Sequence, residues 1–150
     1  IDIQGDEPLI NPEDISNILN FYLENKHEIV VSTLESDVYS NKNTVKVSLN
    51  QYGQIEYFSR EDISTNTEKL VITKGLVAFS FKSLNRYAKT EETELERKVK
   101  HELQRCCENN ISIFEFRIKH DSRAVDVKED LDYVRQAIKN DSYLQNYIKS

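Results

Sequence analysis

Apolar residues recur along this chain with two spacings, and the alternation between them divides it into strands and helices. Ile1 and Ile3 alternate with Asp2 and Gln4, the period of a strand with one apolar face, and Gly5 ends it where the backbone can turn or lie against a ligand. Asn11-Pro12-Glu13-Asp14 reads as a helix start: a capping side chain, a proline at the first helical position and two acids at the positive end of the dipole. Ile15, Ile18, Leu19 and Tyr22 continue it at helical spacing, and His27 follows as a surface residue. The run Ile29-Val30-Val31, inside 28–34, suits a strand buried on both faces. Residues 44–49 and 54–58 alternate around Asn50-Gln51-Tyr52-Gly53, which predicts a hairpin.

Polar residues 61–69 lack periodicity and read as a mobile loop. An apolar strand over 75–81 and a short helix over 82–89, carrying Leu84 and Tyr87, come next. Thr93 and Glu96 have the spacing of a capping box and open the longest predicted helix. Its stripe is Leu95, Val99, Leu103 and Cys106, and Asn109-Asn110 ends it. A strand over 111–119 is broken by His120-Asp121-Ser122-Arg123. Residues 124–131 then head a helix with Leu131, Val134 and Ile138, which Tyr143, Leu144, Tyr147 and Ile148 of the tail extend or cover.

Strands alternating with helices over 150 residues predict a single α/β domain, with 38% hydrophobic and 31% charged residues as in soluble globular proteins. A net charge of −6 argues against nucleic acid as partner, because no basic surplus exists to neutralise a phosphate backbone; a single nucleotide remains compatible if a metal ion offsets its charge. No run approaches the roughly 20 apolar residues of a membrane helix, so no membrane association is expected. Cys106 and Cys107 are neighbours, with neither disulfide-framework nor metal-site spacing, and read as small hydrophobes in a reducing cytoplasm. A chain that opens on Ile1 and holds no methionine is expected to continue upstream.

The candidate chemistry is carboxylate. Asp6 and Glu7 follow the first strand, at the kind of strand end where open α/β sheets bind ligands, and a carboxylate there can hold a hard cation such as Mg2+. The bland reading is a turn with solvated acids. Asp126 is similarly open: with Glu129 three residues on it fits a capping box, while its side chain could equally be a ligand.

Read together, Gln4-Gly5-Asp6-Glu7-Pro8 resembles the QGDEP motif of the 3-deoxy-manno-octulosonate (Kdo) cytidylyltransferases, and Val125-Asp126-Val127-Lys128-Glu129-Asp130-Leu131 resembles their VDTPEDL. Val45-Lys46-Val47 with Tyr57-Phe58-Ser59-Arg60, and Glu102-Leu103-Gln104-Arg105 with Glu108-Asn109-Asn110, are similar to two further family segments, so the likeness runs from Ile1 to about Ile138. It implies a three-layer, Rossmann-like nucleotidyltransferase fold with a mixed sheet and a dimerisation hairpin, of which these residues form the C-terminal portion. The implied reaction transfers CMP from CTP to a 2-keto sugar acid such as Kdo, with release of pyrophosphate, for lipopolysaccharide or capsule synthesis. The implied protein is a cytoplasmic homodimer, its hairpin otherwise a sticky apolar edge.

The resemblance assigns Asp6 and Asp126 as catalytic Mg2+ ligands and Gln4, Arg60 and Glu102 as sugar contacts, Arg60 pairing with the sugar carboxylate. Three departures accompany it. Thr73 stands where the family has a histidine and Leu103 where it has a glutamine, both at the sugar pocket; Val127 and Lys128 replace the threonine cap and proline. No glycine-rich phosphate cradle occurs, so the segment alone is expected to bind CTP poorly and to be inactive. The alternatives are a related transferase for another acidic sugar, or a non-catalytic α/β interaction domain in which Asp6 and Asp126 only cap and solvate.

Overall fold

The uninterrupted run Ile29-Val30-Val31 exists because the strand carrying it is covered on both faces. Ile29 and Val31 point into one apolar cluster and Val30 into another, and all three are buried. The structure is a computed structural model that describes residues 1–36, 43–61, 63 and 70–144. Its elements in chain order are β1 (Asp2–Ile3), α1 (Pro12–Asn25), β2 (Ile29–Ser36), β3 (Lys46–Leu49), β4 (Ile55–Ser59), β5 (Leu70–Phe79), α2 (Phe81–Lys89), α3 (Glu94–Val99), α4 (Gln104–Glu108), β6 (Ile113–Arg117) and α5 (Lys128–Ala137), which runs into a 3-10 turn over Ile138–Asn140.

The sheet is mixed, in the order β4-β3-β5-β2-β6 with β1 also on β5; β2 and β6 are parallel and the other pairs antiparallel. It curls until its outer strands meet, Gln54 bridging Phe114 and the Glu115 N–H donating to the Gly53 carbonyl at 2.9 Å. The inside of the curl holds the larger core, with Val47, Ile55, Phe58, Leu103, Cys106 and Ile113; Ile18 of α1 packs with Val30, Leu76 and Ala78 on the other face.

Several sequence expectations are met locally. The Asn11 side chain accepts from Glu13 N at 2.8 Å, with Pro12 opening α1, and Lys26 closes the helix in the left-handed region. The hairpin turns through Gly53 at φ 76°, where the Asn50 carboxamide accepts the Tyr52 and Gln54 amides. Ser80 caps the short helix α2.

Others are corrected. The long helix expected from Thr93 to Asn110 is two short helices, with Lys100 in the left-handed region at φ 57° and residues 101–103 turning between them. The break lets Leu103 and Cys106 enter the core while Leu95 stays 39% exposed. Thr93 does cap Glu96 N at 3.1 Å, but the Glu96 carboxylate turns to Arg105 instead of back to Thr93, which ties α3 to α4. His27 is half-buried, stacked on Phe114 at 3.8 Å, and burial lowers its pKa. Ile1 and Ile3, expected only to share a face, are both largely exposed. The hairpin's apolar residues Val45, Val47, Ile55 and Phe58 are buried within the chain, so its exposed side offers Tyr52 and Tyr57 in place of a bare apolar edge. The expected loop over 61–69 falls largely outside the described residues, as do Tyr147 and Ile148.

Both cysteines are free, with Cys106 fully buried. Burial pushes its thiol up to about 12 and that of Cys107 to about 11, so neither is a ready nucleophile. Ile113, wholly buried at the centre of the larger core, is the sensitive position: Ile113→Ala should destabilise the protein by about 2–5 kcal/mol, read as a shift of the denaturant midpoint at unchanged slope.

Candidate functional site: an acidic cleft at a break in the sheet edge

β1 and β3 lie end to end along one edge of β5. Ile3 pairs with Leu76 and the Gln4 N–H reaches the Gly75 carbonyl at 2.9 Å, while Lys46 pairs with Ile72 and the Thr73 N–H reaches the Val45 carbonyl at 2.9 Å. Between them, beside Lys74, no strand among the described residues covers the edge, and a cleft of about 990 Å³ opens there. Gly75 is the glycine this site requires. A Cβ on it would lie 2.9 Å from the Glu7 carboxyl carbon and 3.1 Å from Gln4 Cβ. At Gly5, by contrast, an added Cβ would meet nothing within 4 Å, and φ is not positive, so this glycine turns without steric need.

All five residues singled out from the sequence line this one cleft: Gln4, Asp6, Arg60, Glu102 and Asp126. Asp6 and Asp126, 120 positions apart, sit on two turns joined by a main-chain hydrogen bond from Val125 N to the Asp6 carbonyl at 2.8 Å. Both are exposed. Asp126 does not cap: α5 begins after Val127, and the Asp130 carboxylate, not that of Glu129, accepts the Asp126 and Val127 amides at 3.2 and 3.1 Å. The Asp126 side chain is thereby left to the cleft.

Arg60 is placed differently from a simple carboxylate fork. Its guanidinium donates to the carbonyls of Val99, Asn43 and Lys100 at 2.9, 2.5 and 3.0 Å, closing the end of α3 and fixing the corner from which His101 and Glu102 enter the cleft. Of the two departures noted at the sugar pocket, Thr73 lines the cleft. Leu103 also borders it but is 1% exposed and belongs to the core, while its neighbour Gln104, equally buried, accepts the Phe58 N–H at 2.9 Å.

Sequence reasoning missed four participants. Glu7, read only as the partner acid of Asp6, is buried under the cleft; it receives the Ser122 hydroxyl and the Gly75 amide, and burial raises its pKa above the ordinary 4.5. Lys74 pairs with Asp121 at 2.5 Å. His101 stacks on Phe58 at 4.2 Å with Nδ1 buried and unpartnered, and burial lowers its pKa below 6.5, so the ring is neutral near pH 7. Arg123 lines the cleft beside Asp126. Glu7 and Arg123 lie outside any periodic segment, while Lys74 sits in β5 and His101 lay within the expected long helix but off its apolar stripe, so spacing gave no signal for them.

Two exposed carboxylates on adjacent turns offer oxygen donors of the kind Mg2+ accepts, and that ion commonly takes one or two carboxylates and completes its shell with water and substrate phosphates. Among the described residues no group of three or more His, Cys, Asp and Glu is arranged to hold a metal without such help. Asp6 and Asp126 fit the first arrangement and not an all-protein cage.

A mixed sheet with helices on both faces and an acidic cleft at its edge is a nucleotidyltransferase-like architecture. The chain belongs to the cytidylyltransferase family, whose model matches residues 1–148. It is 33% identical over 144 residues to a 3-deoxy-manno-octulosonate cytidylyltransferase of Lawsonia intracellularis, covering 90% of this chain and 56% of that protein. A protein of the same description from Chlorobium limicola is 33% identical over 150 residues, covering 93% and 61%. A solved structure of CMP:2-keto-3-deoxy-manno-octonic acid synthetase complexed with CTP superposes with a TM-score of 0.82 at 25% identity, over 91% of this chain and 60% of that one. The chain thus spans somewhat more than half the length of these relatives.

The raised pKa of Glu7 fixes a pH dependence. A carboxyl whose folded pKa lies above its unfolded value stabilises fully below the unfolded value and loses that contribution as pH rises through the folded one. Glu7→Gln, which keeps an acceptor for Ser122 and does not titrate, should therefore gain thermal stability relative to the parent as pH rises from 4.5, the difference levelling off once Glu7 is ionised. Parallel melting curves of the two proteins across pH read this directly; a constant offset would contradict it.

Proposed function

We propose that the protein to which these residues belong is a cytidylyltransferase that joins CMP from CTP to a 2-keto sugar acid of the Kdo type and releases pyrophosphate. One observation carries the reading: Asp6 and Asp126, each within a stretch resembling a family motif, line the same cleft on hydrogen-bonded turns. Family membership and the relatives' names support it.

In this reading Asp6 and Asp126 hold Mg2+. When bound, the ion supplies a lowered pKa for the attacking anomeric hydroxyl and charge to offset the α-phosphate oxygens. The chain's own residues place the sugar. Gln4 hydrogen-bonds its hydroxyls with a carboxamide that both donates and accepts, Glu102 accepts from them, and Arg60 adds the N–H groups that the three carbonyls leave over. His101, neutral and held flat on Phe58, forms wall and not charge. Catalysis of this kind is placement and electrostatics, with no covalent step for the protein. Much of the nucleotide's binding is assigned to sequence beyond this chain, in keeping with the share of the relatives it spans. A homodimer formed across the outer side of the hairpin, at Tyr52 and Tyr57, and a cytoplasmic setting that supplies CTP belong to the same proposal. No helix among the described residues is long and apolar enough to cross a membrane.

The test is pyrophosphate release by the full-length protein with CTP, Mg2+ and a panel of 2-keto sugar acids. Asp6→Asn and Asp126→Asn should each lower kcat/KM by about 1000-fold, roughly 4 kcal/mol in the barrier, while melting within a few degrees of the parent. Near-parental turnover by either variant at saturating Mg2+ would refute the reading.

A further inference from the structure

The cleft combines carboxylates with the basic residues Arg60, Lys74, Lys100 and Arg123, and two of these are engaged within the protein. Arg60 donates to three main-chain carbonyls, and Lys74 holds Asp121 and the Ser122 carbonyl. Arg123 differs. Its Nε donates to Asp130 at 2.7 Å, and the Tyr133 ring covers one face of the guanidinium, 4.8 Å from centroid to Cζ. One edge and one face are thus fixed, while the side chain stays 45% exposed and lines the cleft. The edge formed by Nη1 and Nη2 is the fork that receives carboxylates and phosphates through two parallel hydrogen bonds.

The clamp also sets where that fork sits. The same Asp130 carboxylate accepts the Asp126 and Val127 amides, so the Arg123 guanidinium and the Asp126 backbone are fastened to one anchor, itself 8% exposed. A guanidinium held by an ion pair and an aromatic face has already lost its rotamer freedom, so an incoming anion does not have to order it. Neither Arg123 nor Tyr133 belongs to the quoted stretches that resemble the family motifs.

We propose that Arg123 is an oxyanion-binding residue of the cleft, its Nη1–Nη2 edge receiving a carboxylate or phosphate group of the bound substrate. The proposal rests on the transferase reading for the identity of that substrate. An oxyanion next to Asp126 could come from the carboxylate of the sugar acid or from the phosphates of CTP, and steady-state kinetics separate the two.

With the full-length protein, Arg123→Gln should raise one KM by about 10- to 100-fold with kcat changed much less, the pattern of lost binding shared by ground and transition states. A rise confined to the sugar acid assigns the fork to its carboxylate; a rise confined to CTP assigns it to phosphate. Arg123→Lys, which keeps the charge but loses the fork, should lie between parent and Gln variant, and it decides the matter if the Gln variant does not fold. Both KM values within twofold of the parent in the folded variants would overturn the proposal. A binding readout keeps it separate from the transferase reading. Inorganic pyrophosphate should raise the melting temperature of the parent more than that of Arg123→Gln if the fork takes phosphate, and a 2-keto acid should do so if it takes carboxylate. Either difference supports the anion contact even in a protein that shows no turnover, and equal shifts with both probes count against it.

Discussion

A carboxyl group buried beneath the cleft, that of Glu7, receives the Gly75 amide from β5 and the Ser122 hydroxyl from the segment leading to Asp126. With the main-chain bond from Val125 N to the Asp6 carbonyl, these contacts fasten the turn after β1, the middle of the longest strand and the approach to α5 into one unit. The two candidate metal ligands stand on that unit. The crowding at Gly75 follows from it, since a carboxyl can sit against the strand only where the strand has no side chain. Such an arrangement is costly to loosen: a buried acid without its donors keeps its desolvation and loses its compensation.

The opposite wall depends on a competition that the core wins. A helix continuing from Thr93 through Asn110 would satisfy its own hydrogen bonds, and turning Lys100 into the left-handed region costs roughly 1–2 kcal/mol for a residue with a Cβ. Against that stand the burial of Leu103, about 1.5–3 kcal/mol, and charge-assisted bonds from Arg60 to the two carbonyls at the break. Gln104 adds a bond to the Phe58 amide inside the curl of the sheet. The balance favours the break, and the break is what brings His101 and Glu102 to the cleft.

Legibility in the sequence followed the range of the interaction. The Asn11 cap, the Ser80-led short helix and the Asn50–Gly53 turn depend on neighbours a few residues away, and pattern located each element. The break at Lys100 was invisible because the residue that stabilises it, Arg60, lies 40 positions earlier. For Ile1 and Ile3, alternation told which residues share a face and not whether anything covers it, and both stay largely exposed. At the cleft, motif resemblance drew attention to Gln4, Asp6, Arg60, Glu102 and Asp126, which the fold gathers along one surface. It said nothing of Ser122 or Arg123, in a stretch that reads as a mere interruption between a strand and a helix.

Asp6 and Glu7 show why adjacent acids in one motif should not be counted as a pair of equivalents. Glu7 is 7% exposed, raised in pKa by burial and committed to Ser122 and Gly75. Asp6, one residue earlier, is exposed to the cleft. The fold puts Glu7 in a low-dielectric floor, where burial raises its pKa, and leaves Asp6 in solvent. The division has a chemical consequence. A carboxylate that is to receive a cation or steer a substrate must be ionised and solvated before the ligand arrives, while one that positions backbone must be inaccessible to it. Because the side chains of consecutive residues leave an extended or turning backbone in different directions, one short motif can supply both.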